Sequence, residues 1–505
     1  MNEPGAFPVS SRRDLRQSPG DMLEDEADER GMKKRSLLRI LESCVFLLLL
    51  WVVMVMVSGL LERKNSRNLL GGFLEEPQLY DVLFFGDSQL MNAMIPLEMW
   101  EDYGIAGYNL SSYGNSPPLS YWMMINAFDY AQPELVVIAV TGMNDTHKIS
   151  RFSSDLHMAT DFWPLTVNKA RMLDDLLDDP EDPDFKDAEG SLYRELKGEF
   201  LFPLGKYHSR WHELTKDDFS RRHSYVKGGE SLVGVYPIWD YELVDEENYA
   251  EEIGYSYAYL RRSIEECQRR GIDVLLIHLP NPQIINSQRH ANTARSIADE
   301  YGIDFIDATS LDSIVDYAVD CYDPDPHLNL SGTQKMTDYL GSYLRDRYHL
   351  PDRRGDPDYA HWIRQLDTYK DEKNRVLAEQ EDIHNALMLL HDKDFDVSLA
   401  LFPPSPVYQD DGAFVLIQNI ARENVLAGEE YAKWSNMMFP LSGLDEAIRE
   451  EKPYYLNREG GAVTEYTGER AEQAALEAFG TRGESTLLIR AVDRRDGSVA
   501  AQLQF

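Results

Sequence analysis

Cysteine is scarce in this chain, three in 505 residues. No Cys-x-x-Cys pair or Cys/His cluster occurs, so neither a disulfide framework nor a thiol-based metal or redox site organises it. Cys44 lies in an apolar run, which leaves Cys267 and Cys321 as the one pair able to bridge. Long basic runs are also missing, and the formal charge is -37. A polyphosphate would be repelled, which excludes non-specific nucleic-acid binding. The Gly-x-x-x-x-Gly-Lys-[Ser/Thr] loop, the His-Glu-x-x-His helix and the dinucleotide fingerprint are all absent, so no cofactor and no metal is expected. The acidic stretch around Asp174 to Asp187 reads as a solvated face rather than a calcium site.

What is present begins with an uncharged stretch from Ser43 to Leu61, rich in Leu, Val and Phe. It is about as long as a helix needs to be to cross a hydrocarbon core of roughly 30 Å. A cleaved signal peptide fits less well, because some forty residues precede the run and no small-x-small site follows. Arg30, Lys33, Lys34, Arg35 and Arg39 lie before it, against Arg63, Lys64 and Arg67 after it. That excess favours an inward N-terminus and a single-pass anchor in the cell membrane, with the rest extracytoplasmic. The division expected is a disordered cytoplasmic tail over 1–35, a transmembrane helix over 36–62, an α/β domain over 79–350, a linker and helix over 351–393, and a small β-rich C-terminal module over 394–505.

Between residues 79 and 350 short apolar runs alternate with helical stretches. Strands are expected at Val82 to Phe85, near Tyr108 and Asn109, and at Leu135 to Val140, Val274 to Leu279 and Phe305 to Asp307. Helices are expected at Pro117 to Tyr130, Glu247 to Arg270, Gln288 to Tyr301 and Ser331 to Tyr348. Continuous apolar strands between helices predict a parallel five-stranded sheet covered on both faces. Reactive residues of such sheets gather at the carboxyl ends of the strands. Residues 146–245 interrupt the alternation, either as a lid or as a helical insertion with its own core. Beyond residue 352 a polar helix is expected over Pro357 to His391, then strands at Val397 to Phe402, Phe414 to Ile417, Thr486 to Val492 and Val499 to Phe505. The last two are joined by an Asp496-Gly497 turn.

Four segments carry chemistry: Gly86-Asp87-Ser88-Gln89, Gly114 in a Tyr-Gly-Asn turn, Gly142-Met143-Asn144-Asp145, and Asp323-Pro-Asp325-Pro-His327-Leu-Asn329. A serine hydroxyl needs a base to take its proton. His327, between two carboxylates, is the leading candidate, and His278 at a strand end is second. The Ser88 amide, the Gly114 amide and the Asn144 side chain are candidate donors to an oxyanion. Each segment alone is as well explained by an ordinary turn or cap. Their coincidence in this order points to acyl-ester chemistry.

These residues resemble the SGNH (GDSL-like) hydrolase superfamily over roughly residues 79 to 350. The resemblance implies a flavodoxin-like three-layer α/β/α sandwich, with Ser88 as nucleophile, Gly114 and Asn144 in the oxyanion hole and His327 as base. The family places its acid three residues before the histidine, where this chain has Pro324. Asp323 is favoured for that role and Asp325 is the alternative; Asp87 braces the turn. The anchored architecture is similar to a membrane-bound bacterial envelope branch that includes the teichoic-acid D-alanyl transfer protein and exopolysaccharide acetylation proteins. That implies a serine esterase or O-acyltransferase acting on acylated envelope polysaccharide or a teichoic-type polymer, beside a membrane-bound O-acyltransferase. The alternative is a non-catalytic scaffold that binds polymer.

Overall fold

The computed structural model describes residues 19–62, 69–76, 78–143, 147–180, 182–219, 226–252, 254–311, 314–325, 327–421, 442–480 and 484–505. They fall into two units.

The first unit combines a helix over Pro19–Leu61 with the segment Leu204–Leu214. Its stretch Leu37–Leu61 is long and apolar enough to cross a membrane, and its side chains are almost all exposed. Residues 19–35 were expected to be a disordered tail, yet they are helical. Pro19 suits a first helical position, and the Met, Leu, Glu, Arg and Lys that follow are good helix formers. Residues 1–18 of the expected tail lie outside the described residues. In Leu204–Leu214 a short helix, Leu204–Tyr207, runs into a 3-10 turn, His208–His212, and Arg210 Nη1 donates to the Leu61 carbonyl at 2.5 Å.

The second unit is α/β. Its first sheet holds β1 (Val82–Phe85), β2 (Gly107–Asn109), β3 (Leu135–Ala139), β4 (Asp273–His278) and β5 (Asp304–Asp307). All neighbours pair in parallel, in the order β2-β1-β3-β4-β5. Successive strand residues point to opposite faces. Leu83, Phe85, Val136, Ile138 and Leu276 therefore enter one apolar cluster with Met123, Met124, Leu260 and Ile264. Val82, Phe84, Leu135, Val137 and Ile277 enter another with Met99, Met336 and Leu340. The five strands and four intervening helices lie close to where the sequence puts them. One exception is the run before the Ser256–Arg270 helix, where 247–252 and 254–255 are not helical.

The first cluster also takes in Met172, Leu173 and Phe200 from the helices Val167–Leu177 and Tyr193–Leu201. The helical part of the interrupting segment thus shares the main core rather than building its own. The same cluster continues through Trp362 and Leu387 to a second sheet. That sheet is antiparallel, in the order β10-β9-β6-β7-β8: β6 Phe395–Leu401, β7 Tyr454–Glu459, β8 Ala462–Thr467, β9 Leu487–Asp493 and β10 Val499–Gln504. Two local expectations fail here. Phe414 to Ile417 is not a strand but the middle of a helix, Asp411–Ile420, whose first turn is capped by Asp410 accepting from the Ala413 amide at 3.0 Å. The expected helix over 357–391 is two helices, Ala360–Ala378 and Ile383–Leu389, the second started by an Asp382 cap on the Asn385 amide. Cys267 and Cys321 are both buried and free, so the one possible bridge does not form.

A buried ion cluster ties the Ala360–Ala378 helix to the Pro96–Tyr103 helix and to the turn before β6. Lys373 Nζ reaches Asp394 at 2.6 Å, Asp392 at 2.7 Å and Glu98 at 3.4 Å, and is 5% exposed. Burial disfavours its charge, but Asp392, Asp394 and Glu98 outweigh this and push the ammonium pKa well up. Burial likewise raises the Asp394 carboxyl, and Lys373 and Lys370 outweigh it, so the group is held far below the usual carboxylate range. Lys373→Met would leave three buried carboxylates short of a counter-charge. It is expected to lower the unfolding free energy by about 3–5 kcal/mol, read by urea denaturation of the detergent-solubilised chain. Because Asp394 titrates lower folded than unfolded, its contribution is in place above about pH 4 and is lost as pH falls toward the depressed value. Asp394→Asn should therefore flatten the acid limb of the stability–pH curve while lowering stability at neutral pH.

Candidate active site

Gly86 follows β1 and leads through Asp87 into a one-turn helix, Ser88–Met91. The turn has to be glycine: a Cβ there would sit 2.7 Å from the Ala139 Cβ on neighbouring β3. Asp87 accepts from the Gln89 amide at 3.1 Å and so braces the turn rather than joining the chemistry. The loop after β2 closes over it. Ser112 N donates to Gly86 O at 3.2 Å, and Asn115 Nδ2 donates to the same carbonyl at 2.8 Å. Asn109 Nδ2 donates to Leu90 O at 3.0 Å, fastening the end of β2 to the serine helix.

Across the site stands the loop between Cys321 and Leu328, which bridge each other in antiparallel fashion. Tyr322 N donates to His327 O at 2.8 Å, and Asn329 N donates to Asp320 O at 2.9 Å. The Asn329 side chain then caps the Leu330–Tyr348 helix, accepting from Gly332 N at 3.2 Å, while its Nδ2 holds Val319 O at 2.7 Å. His-Leu-Asn is thus an imidazole, a buried anchor and a helix cap in consecutive positions.

Ser88 and His327 meet although 239 positions separate them: Ser88 Oγ lies 2.8 Å from His327 Nε2. On the other side of the ring, Asp323 accepts from Nδ1 through Oδ2 at 2.8 Å and Oδ1 at 3.0 Å. The carboxylate is acceptor-only, so the Nδ1 proton faces Asp323 and Nε2 is left to accept from the serine hydroxyl. Asp323 also accepts the His327 amide at 3.3 Å, which fixes it against its own histidine four residues on. Asp325 is exposed and makes no ion pair with His327, so the alternative acid is set aside. The runner-up base His278 is buried in a separate network, with Nδ1 2.9 Å from Asp307 Oδ1 and Nε2 3.2 Å from Ser287 Oγ.

Gly114 has φ +56, a left-handed conformation, and a Cβ there would lie 2.4 Å from Asp155 Oδ2. Burial raises the Asp155 carboxyl, and hydrogen bonds from Ser150 and Ser154 oppose the shift. Asn144, the third expected donor, lies outside the described residues. Three contributors were not singled out from the sequence: Asn109 and Asn115, which lie close to a motif, and Glu230, which does not. Glu230 accepts from the Tyr113 hydroxyl and, at 3.4 Å, from Asn92 Nδ2. Burial and the Glu230 contact push the Tyr113 phenol up, so it remains a donor. Cys321, under the loop, is an inert thiol, since burial among Asp320, Asp316 and Asp323 pushes its pKa far up.

A hydroxyl, a correctly tautomerised imidazole and a carboxylate in line form the arrangement that activates a serine nucleophile. No protein-family model matches the chain, and no curated protein matches it either. Asp323→Asn is expected to slow labelling of Ser88 by a fluorophosphonate probe by about 10²–10⁴-fold, because the amide no longer fixes the tautomer or stabilises the imidazolium. Asp325→Asn should leave the labelling rate within about twofold of the parent, since a surface change away from such contacts is nearly neutral.

Proposed function

We propose that the chain is a membrane-anchored serine O-acyl esterase or acyltransferase of SGNH type, working outside the membrane on acylated polymers of the cell envelope. The observation that carries the reading is the contact of Ser88 Oγ with His327 Nε2 at 2.8 Å, continued from Nδ1 to Asp323 at 2.8 Å.

That contact supports the following sequence of steps. Ser88 Oγ attacks the acyl carbonyl while His327 Nε2 takes the hydroxyl proton. Asp323 stabilises the imidazolium that results. By the resemblance to SGNH hydrolases, the donors assigned to the oxyanion are the Ser88 and Gly114 amides and the Asn144 side chain. The C–O bond to the leaving alcohol then breaks, and His327 returns its proton to that oxygen, leaving an acyl ester on Ser88. Water or a sugar hydroxyl, deprotonated by the same imidazole, attacks the ester and releases the serine. Hydrolysis and transfer differ only in which hydroxyl arrives second.

The rest of the reading is architectural. The parallel sheet with Ser88 beyond the end of β1 fits a flavodoxin-like three-layer domain, and residues 394–505 fit an accessory module. The basic residues before Leu37 favour a single-pass anchor with its N-terminus inside. A membrane-bound O-acyltransferase is the partner such an enzyme would receive acyl groups from, and acylated polysaccharide or a teichoic-type polymer is its substrate.

Detergent-solubilised chain is expected to hydrolyse p-nitrophenyl acetate. Ser88→Ala should cut that rate by at least about 10³-fold, in line with removal of a triad nucleophile. Unchanged turnover in the alanine variant would remove the assignment.

A further inference from the structure

We propose that residues 230–249 form a binding strap for a neutral or amino-bearing glycan chain, starting at the Ser88–His327 pair and leading away from it. The inference rests on the acyl-transfer reading of that pair and narrows its polymer substrate.

The segment has no helix or strand, yet its backbone is held at short intervals by the α/β body. Glu230 N donates to Met91 O at 3.0 Å beside the serine helix. Leu232 O accepts from Leu330 N at 2.8 Å, and Gly234 O accepts from Asn329 Nδ2 at 2.9 Å, both at the start of the helix that follows His327. Tyr236 N donates to Cys321 O at 2.8 Å, one residue before Tyr322 in the histidine loop, and Ile238 N donates to Tyr317 O at 2.9 Å. Further on, Gln288 holds Glu242 O and Val244 N, and Asn292 Nδ2 holds Asp245 O and Asn248 O. Of its larger apolar side chains, Ile238 is turned fully inward.

With the backbone tied down, the rings face solvent. Tyr236 is 43% exposed, Trp239 55% and Tyr249 55%, and Tyr241 is exposed on one side of its edge contact with Tyr317. Tyr113 and Tyr322, at the catalytic end, are exposed as well. At about 3.3 Å per extended residue, Tyr236 to Tyr249 spans at most about 43 Å, far more than a small acyl ester occupies. Large flat side chains fixed in place lose little entropy when a ligand stacks on them.

Charge selects the occupant. From Glu230 to Glu252 the chain is dense in carboxylates and has no Lys or Arg. Glu246 and Glu252 are paired, to Arg295 at 2.7 Å and Arg261 at 3.0 Å. Asp240, Glu242 and Glu247 appear in no ion pair among the described residues, and Glu242 and Glu247 are exposed. A polyphosphate or polyuronate laid on this surface would be repelled. Carboxylates accept from sugar hydroxyls or an ammonium group, and the ring faces take the apolar side of a pyranose or a cationic amine. A basic peptide meets the charge requirement too. The glycan is preferred because the strap begins at a site whose substrates are esters of hydroxyls.

The test uses the full chain carrying Ser88→Ala in detergent, so that binding is read without turnover. Native affinity electrophoresis is run through gels containing hydroxyethyl cellulose, glycol chitosan or polygalacturonate, with labelled poly-lysine binding measured in parallel. Retardation by one of the first two and not by polygalacturonate is expected. Adding Tyr236→Ala and Trp239→Ala should weaken it by about tenfold or more, as loss of aromatic anchors does. Tyr236→Phe with Trp239→Phe should restore most of it, at an unchanged melting midpoint. The proposal falls if neither glycan retards the chain, if the double alanine variant binds like its parent, if polygalacturonate retards it equally, or if poly-lysine alone binds. Failure of the catalytic reading would show separately, as Ser88-independent ester hydrolysis in the otherwise unaltered chain.

Discussion

The hydrogen bond between Ser88 and His327 depends on a loop that spends its polar groups on itself. Asp323 takes both the amide and the ring Nδ1 of His327, and Tyr322 N takes the carbonyl of the same residue. A side chain four positions upstream can serve the histidine only if the loop between them folds back, and the Cys321–Leu328 bridge makes it do so. Asn329, capping the next helix, passes the rigidity of the helix back to the loop.

The same economy governs the whole upper rim of the first sheet. Strand ends leave backbone groups to be satisfied, and here side-chain amides do much of that work: Asn109, Asn115, Asn281, Gln288, Asn292 and Asn329 each hold backbone or a neighbouring amide. Neutral amides donate and accept without the desolvation cost of a buried charge. Charge is concentrated elsewhere, where Lys373 and its three carboxylates join the Ala360–Ala378 helix to residues on both sides of it. Around Ser88 side-chain amides thus work beside the carboxylates of Asp87 and Asp323, and ions supply the cohesion around Lys373.

How legible this was in the sequence depended on how local the cause was. Val82 to Phe85 and Leu135 to Ala139 could be read because a run with no polar residue, bounded by turn signals, has few other structures open to it. Ser88 could be read from the glycine and aspartate before it. The Asp410 cap was equally local, but the Phe-Val-Leu-Ile run after it favoured a strand, and short apolar runs do not carry a period that separates the two. Asp323 was favoured over Asp325 with little local signal, since the choice turns on which carboxylate faces inward in a reversed loop. Least legible was 226–250, whose shape is dictated by partners such as Gln288 and Asn292 far along the chain.

The Pro19–Leu61 helix is continuous through the point where its apolar portion begins at Leu37. At about 1.5 Å per residue, the polar portion before Leu37 is a rod of about 27 Å. A tail of the same composition without structure would transmit no torque. A rod does, so anything that grips its far end and rotates it turns the apolar stretch Leu37–Leu61, which is long enough to cross a membrane, by the same angle.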